Sequence, residues 1–422
     1  RVQPPDGNHL EESGGDGGMI KRTLQELCLN ITDGKHGDCE NEENSGYYFI
    51  SCKDIFDGQI NYKNARQITK ADFEETHKRT MLEVDDILLT NSGTIGRMAF
   101  VTDREATTKT TFQKSVAIIK PDKQKVLPRY LYYQLQNCVP QFINSSNGSA
   151  QKNLLLSTMR TFQIEIEENR EKQEKIANTL SAYDDLIENN QKQIKLLEEA
   201  AQRLYKEWFV DLRFPEHENT KIVDGVPEGW KKNCAEKFFE ITIGKTPPRT
   251  EKRCFTTGKN GIPWVSIADM GNSGMFVLNT AENLTDDAIK QYNVKVIPKN
   301  AVLLSFKLTV GRVAIAPNDI CTNEAIAHFK GRRECEREYT YFYLKNFHYD
   351  ELGSTSSISK AVNSKIIKAM PFIMPSEKLL KEYSSKTKDI FDLIICKQKM
   401  DNNLKIARDR ILHKLMSGEV EV

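Results

Sequence analysis

The chain has 422 residues, with 60 Lys+Arg against 59 Asp+Glu and a formal net charge of +1. That length calls for two or more domains, because single cores stop growing near ~250–300 residues. Hydrophobic residues at 39% and charged residues at 28% exclude wholesale disorder and collagen-like or disulfide-scaffold classes. No run of 18 apolar residues exists to span a membrane. Taken whole, the balanced charge argues against a nucleic-acid binder, which carries a basic excess.

Residues 1–18 lack the basic and apolar regions of a signal peptide, and with Gly14-Gly15 and Gly17-Gly18 before Met19 they read as a leader of the expression-tag kind. Residues 19–166 hold short β-type runs such as Tyr47-Tyr48-Phe49-Ile50 and Ser115-Val116-Ala117-Ile118-Ile119, punctuated by Gly, Pro and Asn. They predict a first mixed α/β globular domain. Residues 167–212 predict a long helix: Ile176, Leu180, Tyr183, Ile187, Asn190, Ile194, Leu197, Ala201, Leu204 and Trp208 alternate by four and three, a coiled-coil seam in which the lone Asn190 fixes register. Residues 213–375, with runs such as Pro263-Trp264-Val265-Ser266-Ile267, predict a second mixed domain, and residues 376–422 a second long helix. The stripe of that helix is less regular and passes through Ile390, Leu393/Ile394, Met400, Leu404, Ala407, Ile411 and Leu415, with Lys397 facing the Asn190 position. The fold class expected is α+β: two globular domains separated by two long helices packed antiparallel. Nine scattered cysteines without a CxxC pair read as reduced structural thiols of a cytoplasmic protein, with no metal site.

Internal repetition explains this order. Asp86-Ile87-Leu88-Leu89-Thr90-Asn91-Ser92-Gly93-Thr94-Ile95-Gly96-Arg97-Met98-Ala99 matches Ala301-Val302-Leu303-Leu304-Ser305-Phe306-Lys307-Leu308-Thr309-Val310-Gly311-Arg312-Val313-Ala314 at a constant offset. Tyr130–Leu135 matches Tyr339–Leu344, and Asp185-Leu186-Ile187 matches Asp392-Leu393-Ile394. Three matches in one order mean duplication, with an approximate two-fold relation between the copies. A helix over 167–212 is about 69 Å long at ~1.5 Å per residue, a rod that sets two heads apart as a ruler on a regular polymer such as duplex DNA.

The search for catalysis comes back empty. Gly244-Lys245-Thr246 looks like the end of a P-loop, but Phe239 stands where the first glycine belongs, so a structural turn is the reading. No HExxH, EF-hand or methyltransferase base-holding motif is present. Charge by region is more telling. Residues 213–375 carry net +5 and 19–166 net +1, while 167–212 carry −4, 376–422 carry +2 and the leader −3. An acidic rod and leader conceal a basic second domain, and phosphate contacts need only local Lys/Arg.

The candidate DNA-contacting residues fall in loops. They are Lys78 and Arg79; the repeated turns, with Thr90, Asn91, Ser92, Thr94 and Arg97 in one copy and Ser305, Lys307, Thr309 and Arg312 in the other; Lys245, Arg249, Lys252 and Arg253; and the polar pair ending in Lys152 and Lys360. Arginine donates bidentately to guanine, and small polar side chains reach base edges or phosphates. The plainer alternative for the turns is that Gly96 and Gly311 permit a shared tight bend.

Glu171-Lys172-Gln173-Glu174-Lys175-Ile176-Ala177, Leu180-Ser181-Ala182-Tyr183-Asp184, Ile187-Glu188-Asn189-Asn190 and Leu204-Tyr205-Lys206-Glu207-Trp208-Phe209-Val210-Asp211, with Val226-Pro227-Glu228-Gly229-Trp230 and Leu412-His413-Lys414-Leu415-Met416-Ser417-Gly418-Glu419, resemble the specificity subunit of type I restriction–modification systems. Ser384-Ser385 and Lys388 depart from the pattern of the first helix. The resemblance implies that each globular domain is a target recognition domain reading one half of a bipartite double-stranded DNA site. It implies that the helices set the spacer and dock two modification (methyltransferase) subunits, and that restriction (endonuclease/translocase) subunits join them. No cofactor is expected in this chain; S-adenosylmethionine, ATP and Mg belong to the partners. The rival reading is a two-headed assembly scaffold that binds proteins and has no DNA specificity.

Overall fold

The computed structural model describes residues 18–146, 152–258, 260–352 and 362–421; Lys360, most of the leader and the stretch before Lys152 lie outside them. Two compact units result, residues 1–185 with 405–422 and residues 186–404. Among the described residues no helix is long and apolar enough to cross a membrane.

The first unit is built on a four-stranded antiparallel sheet in the order Cys28–Asp33, Val116–Pro121, Ile87–Thr90, Met98–Phe100. Beside it lie a three-stranded sheet, in which Tyr48–Ile50 runs parallel to Thr110–Phe112 and antiparallel to Arg66–Gln67, and the pair Met19–Thr23 with Gln163–Glu167. The second unit repeats the plan. Its main sheet runs Glu240–Ile243, Ile326–Lys330, Val302–Ser305, Val313–Ile315. Ile262–Val265 lies parallel to Cys321–Thr322, and Lys231–Cys234 pairs with Pro371–Met374. The duplication read from the sequence is thus a duplication of topology.

The strand Ile87–Thr90 is buried throughout because both of its faces are covered. Alternation along the strand sends Ile87 and Leu89 into one core and Leu88 into another, as the two-residue period of a strand requires. Val302 and Leu304 against Leu303 divide in the same way in the second unit.

The first long helix spans Arg170–Tyr205 and continues as a π-helical stretch, Lys206–Val210. It starts three residues later than the sequence suggests because Gln163–Glu167 pairs as a strand and Asn169 caps it, its Oδ1 accepting from the amides of Glu171 and Lys172. The second spans Glu377–Met416. Neither globular body closes without both helices. Ile176, Ala177 and Leu180 from the first and Leu412, Leu415 and Met416 from the second complete the core of the first unit, with Ile411 packed against it. Ala201, Tyr205 and Trp208 join Leu380, Tyr383, Phe391 and Ile394 in the second unit, flanked by Ile194, Leu197 and Leu204. Within each unit the low-numbered turns of one helix meet the high-numbered turns of the other, so the segments run antiparallel.

All ten seam positions of the first helix are buried or half-buried, with Tyr183, Ile187 and Asn190 among them. The second helix departs from expectation. Met400 and Leu393 are exposed, and the inward row is a strict seven-residue series, Leu380, Thr387, Ile394, Asp401, Arg408 and Leu415, none of them exposed; Leu404 is half-buried. Polar side chains hold inward positions because they find partners there. Lys397 Nζ donates to Asn190 Oδ1 at 3.4 Å, and Gln398 Oε1 accepts from the Phe276 amide at 3.1 Å. In the first unit Asp184 is a hub: it accepts from Arg408 Nη1 at 2.7 Å and Tyr133 Oη at 2.6 Å, with Arg129 Nη2 at 3.5 Å. Arg129 also lies over the Phe100, Tyr132 and Tyr133 rings.

Asp184 and Arg408 are about four-fifths buried, so removing one deprives the other of its main partner across the helix pair, though Arg129 still meets Asp184 and Asp409 still meets Arg408. Asp184→Ala is expected to destabilise the first unit by about 2 kcal/mol. The double variant Asp184→Ala/Arg408→Ala should lose less than the sum of the single changes, a non-additivity that urea unfolding of the four proteins measures.

Candidate nucleic-acid interface

Each main sheet ends in a hairpin, and the two hairpins are superimposable in their bonding. In the first, the Thr90 amide donates to the Arg97 carbonyl at 2.8 Å and the Gly96 amide to the Thr90 carbonyl at 3.0 Å. Thr90 Oγ1 donates to the Thr94 carbonyl at 2.5 Å and accepts from the Arg97 amide at 2.9 Å. In the second, the Ser305 amide reaches the Arg312 carbonyl and the Gly311 amide the Ser305 carbonyl, both at 2.9 Å. Ser305 Oγ donates to the Thr309 carbonyl at 2.5 Å and accepts from the Arg312 amide at 3.0 Å. A hydroxyl is required at this position because it bridges the loop as donor and acceptor at once. Gly96 and Gly311, at φ +94° and +91°, supply the left-handed bend.

A second repeated device buttresses each hairpin, and the sequence reading missed it. Ser51 and Asp54 form a capping box at the turn after Tyr48–Ile50, and Ser266 and Asp269 form one at the turn after Ile262–Val265. Arg97 Nη1 donates to the Cys52 carbonyl at 3.4 Å, and Arg312 Nη1 to the Ile267 carbonyl at 2.7 Å. The signal was present in the chain, since Ser-x-x-Asp recurs at the same spacing as the hairpins. The strand ends Ile31-Thr32-Asp33-Gly34-Lys35 and Ile241-Thr242-Ile243-Gly244-Lys245 are a further repeat. Gly34 and Gly244 lie so close to the backbone at Phe112 and at Asn323 that a Cβ would fall about 2 Å from a carbonyl oxygen (1.9 and 2.0 Å), so the P-loop-like Gly244-Lys245-Thr246 is a packing turn.

The sequence candidates sort by what the fold leaves free. Thr90 and Ser305 are completely buried and Asn91 nearly so; these three are corrected to framework, because their polar groups or backbone are spent inside the sheet end. Thr94, Thr309, Lys307 and Arg97 are exposed, and Ser92 and Arg312 half-buried. Lys78, on the last turn of the helix Lys70–Thr80, is exposed, whereas its neighbour Arg79 is drawn to the buried Asp33 at 2.5 Å. Lys152 is exposed.

In the second unit Lys245 and Lys252 are exposed. Arg253 bonds Glu251, and Arg249 bonds Glu282 at 2.6 Å while its guanidinium lies over Phe255 and Trp264 at 4.2 and 4.6 Å. Burial works against the charge of Glu324, yet the Thr246 hydroxyl and the nearby Lys307 and Arg249 cations hold its carboxyl below the ordinary glutamate value. The fold therefore gathers the 245–249 loop and the hairpin lysine around one carboxylate. Lys35, the counterpart of Lys245, is tied to Asp72 and Glu75 and was missed for want of the strand-end repeat. Nearby His328 is pushed down to about 3 by burial, with Thr242 and Thr322 hydroxyls on its two nitrogens, so it stays neutral and serves the core. Among the described residues no cluster of His, Cys, Asp and Glu fit to hold a metal is present.

Two copies of one fold, each ending in a clamped polar hairpin, match the model described as type I restriction modification DNA specificity domain, over residues 20–199 and again over 227–404. The chain belongs to this family. Among its relatives, the Type I restriction enzyme MjaIX specificity subunit of Methanocaldococcus jannaschii is 28% identical over 89% of this chain and 87% of the relative. The Type I restriction enzyme HindI specificity subunit of Haemophilus influenzae is 24% identical over 72% of this chain and 80% of the relative. The crystal structure of the Type-I restriction-modification system S subunit from M. genitalium shares the fold, with a TM-score of 0.56 at 14% identity across 96% of this chain and 97% of that one.

Ser305→Ala removes both bonds of the clamp and is expected to destabilise the second unit by about 1–2 kcal/mol. Thr309→Ala, which trims an exposed side chain, should stay within ~0.5 kcal/mol. Denaturant unfolding of the two variants distinguishes a framework hydroxyl from a surface one.

Proposed function

We propose that this member of the specificity family is the DNA-reading subunit of a restriction–modification complex, in which each unit reads one half of a bipartite double-stranded site. One observation carries the reading. The same clamped hairpin is presented twice on the same buttress, while the residues at its surface differ: Ser92 and Gly93 in one copy, Lys307 and Leu308 in the other. A conserved holder with different tips is what two half-sites of different sequence require. Phosphate contacts come from the exposed Lys78, Lys152, Lys245, Lys252 and Lys307, whereas Arg79, Arg249 and Arg253 are held back by carboxylates.

The helices, on this reading, set the spacer between the half-sites and dock two modification subunits. Leu186 and Leu393 occupy matching positions of the two helices and are 52% and 44% exposed, an apolar side chain repeated on the outside of each and free for a partner. Adenine methylation with S-adenosylmethionine, and ATP- and Mg-dependent translocation and cleavage by restriction subunits, belong to those partners; this chain contributes the address.

The decisive experiment is to map methylated adenines in DNA from cells that carry this chain with its modification subunit. A bipartite motif is expected, with one half-site changed and the other kept when residues 213–375 are exchanged for those of another family member. Loss of both halves, or no motif at all, overturns the reading and favours an assembly scaffold. Affinity for the mapped duplex should fall with salt at a log–log slope of roughly −0.9 per phosphate contacted. Leu186→Glu and Leu393→Glu are each expected to weaken modification-subunit binding at least tenfold by titration calorimetry without loss of helicity.

A further inference from the structure

Leu308 is the one residue of the second hairpin that the fold gives no reason to be a leucine. Its side chain is 94% exposed, and its backbone is left-handed at φ +62°, a region that a branched side chain enters only under strain. The Thr309 amide donates to the Lys307 carbonyl at 2.7 Å, closing a three-residue γ-turn of the rare positive-φ kind with Leu308 at its apex. The first hairpin shows what the turn itself needs. There the matching residue is Gly93, also left-handed at φ +79°, and glycine adopts that conformation freely. The second copy thus carries both an unfavourable backbone and an unburied apolar side chain where glycine would serve.

The surroundings point outward. Phe306, two residues before, is buried in the core, and the Ser305 clamp and the Gly311 amide hold both stems. The apex is therefore carried on a fixed base. Lys307 and Thr309 beside it are exposed, as is Val310 at 39%. A branched apolar tip flanked by a cation and a hydroxyl suits a duplex: the cation meets a phosphate while the apolar group enters between stacked bases, where water is absent.

We propose that Leu308 is a wedge that inserts between adjacent base pairs in the half-site read by the second unit, unstacking one step, and that the first unit, with Gly93, has no such wedge. The proposal rests on the DNA-recognition reading and adds an asymmetry to it: one half-site is read partly through its deformability, with preference for a step that opens easily.

The test uses the complex of the full chain with its modification subunit and the duplex identified by methylation mapping, with 2-aminopurine placed at successive positions of each half-site. The wild-type complex should raise fluorescence at one step, in the second unit's half-site only. Leu308→Gly should abolish that rise and weaken binding to the mapped duplex at least tenfold, while its thermal midpoint stays equal to or above wild type because the strain is relieved. Leu308→Met should keep the signal. Unchanged affinity and selectivity in Leu308→Gly overturn the wedge, and so does weakened binding when the wild type shows no unstacked step. A wild-type complex that prefers no duplex at all is a different result, for it removes the DNA-recognition reading itself.

Discussion

The globular body of neither unit closes its core without turns of both long helices. The first needs the start of one long helix and the end of another more than two hundred residues later; the second needs the complementary pieces. Apolar burial drives the arrangement at roughly 25 cal/mol per Å², and it is non-local by construction. The helices are therefore part of the recognition units as much as connections between them, and anything docked on a helix is mechanically coupled to the sheets that carry the hairpins.

The two copies solve the same junction with different chemistry. In the first unit Arg129, Tyr133 and Asp184 meet Arg408 in a hydrogen-bonded charge cluster. At the matching places the second unit has Glu338, Phe342 and Phe391, with the two phenylalanine rings 5.8 Å apart and Glu338 paired with Arg337. A charged cluster is sensitive to the loss of any one member, whereas an aromatic contact is not directional in the same degree. Duplication preserved the backbone path and let the interior diverge, which is permissible as long as each buried polar group keeps a partner.

The hairpins diverged in the opposite sense. Their holding devices are shared, with a hydroxyl bridging the loop, a left-handed glycine and an arginine anchored on a capped turn, while their surfaces and the buried Asn91/Phe306 position differ. On the proposed DNA-reading function, the repeated residues hold and the unlike residues select. It also explains why several residues attractive for DNA contact, Thr90, Ser305 and Arg79 among them, are spent within the fold.

The sequence by itself determined the duplication, the two hairpins and the seam of the first helix, because each of these is written in local periodicity or in a repeat at fixed spacing. It did not determine the seam of the second helix. There polar Asp401 and Arg408 turn inward in place of Met400, and Arg408 does so for the sake of Asp184, 224 positions away. Nor did it reveal that Arg97 and Arg312 brace capped turns forty-five residues upstream, or which arginines are held by carboxylates. A side chain's residue type is local information, whereas its availability depends on what the folded chain brings against it. Only the tertiary structure decided which charges were neutralised and which apolar group, at Leu308, was left in water.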